Sequence, residues 1–186
     1  MYYEKFINFL KKHNLYDEEV IQYWTKNKIS FDYLEEESRC LIGCYYKIEN
    51  KILTKISLIV PFIDNDKTVL INIHEYIHLL LTYHKLGYKY KLDPSREILP
   101  IFYERIFIRE NETASLLNYY NYLNSYIIEE NLNEYVLALK ISDILLKTYN
   151  NDNVFKLENK AKKLVRKNKK CWVFIMIEKN LQHIIR

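Results

Sequence analysis

The chain contains very little glycine, proline or cysteine. Its 186 residues include only 2 Gly, 3 Pro and 3 Cys. Such a shortage of turn-forming residues favours a helix-rich fold with few tight turns. Cys40, Cys44 and Cys171 make an odd number without a CxxC pair, so free thiols in a reducing cytoplasm are the simplest interpretation. A metal site built on Cys40 and Cys44 is disfavoured, because the segment around them has the composition of an extended strand.

Long apolar runs and a strong charge imbalance are also absent. No run approaches the roughly 18 apolar residues that span a bilayer, and no signal-peptide core precedes Lys11 and Lys12. The formal net charge of +4 favours no particular partner. With 49% hydrophobic residues, the sequence predicts a folded domain and excludes extensive disorder.

Hydrophobic periodicity divides the chain into a few parts, with no Gly-, Pro- or Ser-rich linker between them. We predict an α+β fold, mostly α, in a single domain spanning residues 1–186. Its expected parts are N-terminal helices within 1–38, a β-hairpin at 39–62, metal-site helices at 67–110 and a helical C-terminal part at 111–186. The individual helices are expected at 3–12, 17–26, 67–85, 93–109, 111–129, 133–149, 153–167 and 172–184.

Residues 74–78 read His-Glu-Tyr-Ile-His, the HExxH pattern of zinc hydrolases. On a helix, His74 and His78 lie one turn apart on the same face and can bind one metal ion. Glu75 lies beside them, where it can take a proton from a water molecule that zinc has made acidic. The alternative is an amphipathic helix with two surface histidines. The surrounding apolar residues argue against it, because buried polar groups need partners.

A catalytic zinc usually has a third protein ligand, and two candidates follow the motif. His84 has the spacing of the metzincin metalloproteases, but Leu81 stands where those proteins need a helix-breaking glycine. In a continuous helix His84 would point away from the metal. We therefore favour Glu104, on the next predicted helix, as the third ligand. The alternative for Glu104 is a salt bridge to Arg105 or Arg109.

The segment TVLINIHEYIHLLLTYHKLG, followed by REILPIFYE, resembles the catalytic core of the thimet oligopeptidase and oligoendopeptidase F family. This resemblance assigns the zinc ligands to His74, His78 and Glu104, the catalytic base to Glu75 and the upstream acidic position to Glu97. It covers about residues 67–150 and implies a zincin-like peptidase of the gluzincin type with bound Zn²⁺. The small regulatory proteases of the ImmA/IrrE kind share HExxH and a later glutamate and are a rival resemblance.

The sequence departs from the oligopeptidase pattern at several positions. Ile77 replaces the glycine before the second histidine, Leu81 replaces a further histidine, and Pro100 is displaced by one position. Members of the family are several times larger, with a helical shell that this chain lacks.

Other residues complete the expected site. By resemblance to the oligopeptidases, Tyr135 is the candidate oxyanion donor, with Tyr119 and Tyr120 as fallback candidates and a core tyrosine as the alternative. Glu97 is expected to accept a hydrogen bond from a zinc-bound histidine or to be a surface charge. Residues 54–61 are either a strand edge that binds an extended peptide or part of a packed hairpin.

The basic cluster at 156–170 is expected to form a solvated amphipathic helix, and a patch for nucleic acid or an acidic partner is the alternative. The leading hypothesis is a cytoplasmic zinc peptidase that cleaves peptide or protein substrates and does not associate with membranes. The alternative is a regulatory protease, or a catalytically silent zincin-fold protein that binds a protein or nucleic-acid partner.

Overall fold

The structure is a computed structural model. It describes residues 2–26, 43–49, 52–59, 66–84, 95–114, 116–118, 120–121 and 133–167. The predicted helix at 172–184 lies outside these residues, as do Tyr119, Cys40 and Cys171. Of the predicted helix at 111–129, positions 114, 116–118, 120 and 121 are helical, whereas the described positions 111–113 are not.

Six longer helices account for most of the described chain, and each begins and ends within two residues of its predicted bounds. They are α1 (Tyr2–Lys12), α2 (Glu18–Lys26), α3 (Asp66–His84), α4 (Ser95–Glu110), α5 (Asn133–Lys147) and α6 (Val154–Lys167). Local capping sets several of these ends. The Asp17 carboxylate accepts a hydrogen bond from Val20 N at 3.1 Å and so caps the start of α2. Asn14, at φ 55°, ends α1 in the left-handed conformation that asparagine tolerates.

The hydrophobic core lies around α3 and α4. Helix α4 packs against α3, α5 and α6, while α1 and α2 pack against α3. Helix α3 is therefore covered on more than one side, and Val69, Leu70, Ile73 and Ile77 are fully buried. Its almost continuous apolar sequence follows from this position, because a helix with apolar residues all round is a buried helix.

The two strands β1 (Gly43–Glu49) and β2 (Ile52–Ile59) form an antiparallel two-stranded ribbon. The register pairs Gly43 with Ile59 and Glu49 with Ile52, with an irregularity between Lys47 and Ile48. Within the described residues, neither strand packs extensively against a helix. A ribbon of two strands does not form a layer that could cover a core.

The prediction of an α+β, zincin-like fold with a β-hairpin ahead of the HExxH helix is therefore wrong. The packed body is all-α, because its described core comes from the helices and the loop residue Leu15. The apolar faces of the described helices cover one another. Among the described helices, none is long and apolar enough to cross a membrane.

Candidate metal centre

Helix α3 presents the two histidines of the motif on the same face. It runs without interruption from Asp66 to His84, so His74 and His78 lie one turn apart. Their Nε2 atoms are 3.2 Å from each other, and their side chains keep 18% and 16% of their surface exposed. The convergence of two imidazole nitrogens is the arrangement that the HExxH spacing predicts.

Glu97, in the first turn of α4, completes a triangle with these nitrogens. Its Oε2 lies 3.3 Å from Nε2 of His74 and 3.4 Å from Nε2 of His78. A tetrahedral zinc with bonds of about 2.0–2.1 Å has ligand–ligand edges of about 3.3–3.4 Å. The three edges therefore match the dimensions of one face of a zinc coordination sphere.

The carboxylate of Glu97 also needs a partner. Its Oε2 is buried, and no donor among the described residues makes a regular hydrogen bond to it, although both imidazoles approach it. A buried carboxylate oxygen without a donor is costly. A divalent cation inside the triangle would satisfy this oxygen and both nitrogens at once. The residues present thus fit zinc, whose catalytic sites commonly combine two histidines and a glutamate.

Glu104 occupies a different place from the one predicted. Its Oε1 lies 2.9 Å from Nδ1 of His74, which is the nitrogen on the opposite side of the ring from Glu97. With the proton assigned to Nδ1, the Nε2 lone pair of His74 is directed into the triangle. The two glutamates have therefore exchanged their expected positions. Glu97 lies with the Nε2 atoms of both histidines, and Glu104 contacts His74 at Nδ1.

The electrostatics of the cluster are strongly coupled. Burial alone would lower the pKa of His74, but Glu104 and Glu97 raise it well above its usual value. Burial would raise the pKa of Glu97, but His78 and His74 hold it well below the ordinary range for a carboxyl. Three glutamates and two imidazoles share this buried region. A divalent cation would offset the negative charge of these carboxylates.

Glu75 is more buried than either histidine of the motif, with 6% of its surface exposed. Burial raises its pKa, and the charges of His74 and His78 act in the opposite direction. The negative charges of Glu97 and Glu104 add to the increase in the pKa of Glu75. A carboxylate with a raised pKa next to a metal face can accept a proton and release it again.

The other predicted residues lie elsewhere or have other partners. His84 Nε2 is 2.8 Å from Asp17 Oδ2, in agreement with the expectation that a continuous helix turns it away from the metal. Tyr120 accepts a hydrogen bond from Nε of Arg105. Tyr135 is half-buried and packs against the hydrophobic core in the first turn of α5. Its role as an oxyanion donor stays a prediction.

The predicted alternative for Glu104, an ion pair with Arg105 or Arg109, is not what the described contacts favour. Arg105 pairs with Asp143 and donates hydrogen bonds to Ser142 Oγ and to the carbonyl of Leu139. Within the described residues, Glu104 pairs instead with His74, at 2.9 Å.

The basic cluster forms the amphipathic helix that was predicted, within the described positions 156–167. Leu157 and Ala161 of α6 are buried, and part of its charge is compensated. Asp152 pairs with both Lys156 and Lys160. The peptide-binding role expected for residues 54–61 stays a prediction, since the side chains of β2 are outside the described part of the chain.

No family model, curated protein or solved structure matches this chain. The resemblance to the oligopeptidase core therefore remains a prediction, and the functional argument rests on the geometry of the site.

Proposed function

We propose that this chain is a zinc-dependent peptidase that hydrolyses peptide bonds of a peptide or protein substrate in the cytoplasm. The observation that supports it is the triangle of His74 Nε2, His78 Nε2 and Glu97 Oε2, with the buried Glu75 next to His74 in the same helix. The metal ligands proposed are His74, His78 and Glu97, in place of the set with Glu104 that the sequence favoured.

Each residue of the cluster has a distinct task in this proposal. When bound, zinc acts as a Lewis acid that makes a water molecule acidic and polarises the substrate carbonyl. Glu75 accepts the proton of that water and passes it to the nitrogen of the departing amine. Glu104 holds the Nδ1–H of His74 and keeps its ring in the binding orientation.

The test combines metal analysis with a quenched peptide library, applied to the wild-type protein and to Glu75→Gln. We expect about one zinc per chain in both proteins and cleavage only by the wild type, because the substitution removes the proton acceptor and keeps the ligands. A wild-type protein without stoichiometric metal would contradict the proposal, as would a Glu75→Gln variant that cleaves peptides normally.

The metal analysis has a second purpose. Two histidines and one carboxylate also bind ferrous iron in oxygenases. The buried Glu75 favours hydrolysis, because an acid–base residue beside the metal is what peptide cleavage requires. Stoichiometric iron in freshly purified protein would therefore count against a zinc peptidase.

The regulatory alternative would use the same site and differ in its substrate. A regulatory protease would cleave one partner protein and leave a broad peptide library intact. A silent protein that binds nucleic acid would show salt-dependent binding without any cleavage. The pairing of Lys156 and Lys160 with Asp152 reduces the free charge of α6 and makes the nucleic-acid version less favourable.

A further inference from the structure

Tyr76 lies in the middle of the HExxH motif but on the opposite side of α3 from the metal. At about 100° per residue it is rotated by about 200° from both His74 and His78. Its side chain is fully buried. The ring packs edge-on against Phe6 of α1, with centroids 5.6 Å apart, and against Trp24 of α2 at 5.9 Å.

The hydroxyl of Tyr76 binds the loop that joins α1 to α2. It donates a hydrogen bond to the carbonyl of Leu15 at 2.9 Å and accepts one from the backbone N–H of Asp17 at 3.2 Å. Leu15 is itself buried, so this part of the loop has little access to water. One hydroxyl thus connects α3 to the loop between the two N-terminal helices.

Asp17 adds a second connection to the same helix. Its Oδ1 caps α2 at Val20 N, and its Oδ2 lies 2.8 Å from Nε2 of His84 at the end of α3. Asp17 is therefore bound to α3 at two positions, through its backbone N–H to Tyr76 and through its carboxylate to His84. Two such contacts restrict both the rotation of α3 about its axis and its tilt.

We propose that Tyr76 is a positioning residue of the metal centre. Its hydroxyl fixes the rotation of α3 against the Leu15–Asp17 loop and so directs His74 and His78 towards Glu97 on α4. The inference rests on the proposed metal site. It adds a role for α1 and α2, which is to hold α3 in the rotation that metal binding needs.

A small rotation of α3 is enough to disturb the centre. Side-chain atoms lie about 5–6 Å from a helix axis, so a rotation of about 10° moves them by about 1 Å. Both histidines would move together, away from the position that Glu97 requires. Metal–ligand distances tolerate only about 0.2 Å, so a shift of this size would weaken the site.

The test replaces Tyr76 by Phe, which removes the hydroxyl and keeps the ring between Phe6 and Trp24. Tyr103→Phe is the matched control. Tyr103 is equally buried and precedes Glu104, but its hydroxyl has no hydrogen-bond partner in the described part of the chain. Zinc affinity is measured by competition with a chelator at a temperature where circular dichroism shows every protein folded.

We expect Tyr76→Phe to bind zinc about tenfold more weakly or worse, the usual size of an effect from outside the ligand sphere. Tyr103→Phe should stay within about twofold of the wild type, because it breaks no hydrogen bond. If Tyr76→Phe is folded and binds zinc as tightly as the wild type, Tyr76 serves stability alone and the inference is overturned.

A second measurement uses the wild-type protein and applies even if Tyr76→Phe does not fold. Coupling is reciprocal, so zinc should slow hydrogen exchange of the Asp17 amide more than that of amides in α6. Equal effects would overturn the inference. A wild type that binds no zinc would overturn both this inference and the proposed function. Tight zinc binding without any effect at Asp17 would overturn the inference alone.

Discussion

The exchanged positions of Glu97 and Glu104 can be tested by substituting each glutamate with alanine. Glu97→Ala removes an atom that lies 3.3–3.4 Å from both Nε2 atoms and so removes a proposed ligand. Glu104→Ala removes only the acceptor that lies 2.9 Å from Nδ1 of His74. We expect both variants to bind zinc more weakly, with the larger loss in Glu97→Ala.

The size of the Glu104 effect follows from its hydrogen bond. The Glu104 side chain is 12% exposed, so water replaces its carboxylate poorly. A buried N–H left without an acceptor costs about 1–3 kcal/mol. At about 1.4 kcal/mol per factor of ten, this corresponds to about a 5- to 150-fold loss of affinity if the cost falls on the zinc-bound state.

The loss of zinc affinity in Glu97→Ala should exceed about a hundredfold, because the substitution reduces three protein ligands to two. Affinity is measured by chelator competition, with circular dichroism as the check on folding. Glu110→Ala, at the far end of α4, is the control for loss of a carboxylate on the same helix. A larger loss in Glu104→Ala than in Glu97→Ala would refute the exchange and restore Glu104 as the ligand.

Two further predictions concern stability. Burial lowers the pKa of His13 below its ordinary value of 6.5 although Glu110 opposes this, so the unfolded chain binds more protons as the pH falls through about 6.5. The stability that neutral His13 contributes is then lost on acidification. The urea midpoint should therefore fall less steeply between pH 7.5 and 5.5 in His13→Gln than in the wild type. Equal pH dependence of the two midpoints would contradict this prediction. Arg105→Met should lower the free energy of unfolding by about 1–3 kcal/mol, because it removes the hydrogen bonds to the buried Ser142 hydroxyl and to the Leu139 carbonyl. The exposed Arg109→Met is the control in urea titrations, and equal midpoints for the two variants would show that the Arg105 network contributes little.

The bounds of the helices could be predicted from the sequence because their causes are local. Apolar periodicity sets the buried face of each helix, and the capping carboxylate of Asp17 lies three residues before the amide that it binds. The fold class could not be predicted in the same way. The β-branched and aromatic residues around 43–59 indicate extended backbone correctly, but whether such segments build a sheet layer depends on distant partners.

The same distinction between local and tertiary causes decides which parts of the candidate site could be predicted. The spacing of His74, Glu75 and His78 lies within one helix, so its geometry follows from the helix period alone. Glu97 and Glu104 are seven positions apart, which is about two turns, and therefore share one face of α4. Both can reach His74, and periodicity assigns neither to a particular nitrogen of its ring. The choice depends on how far α4 is displaced along α3, a tertiary quantity. The structure has Glu97 at Nε2 and Glu104 at Nδ1, and the alanine pair measures whether zinc distinguishes them in the same way.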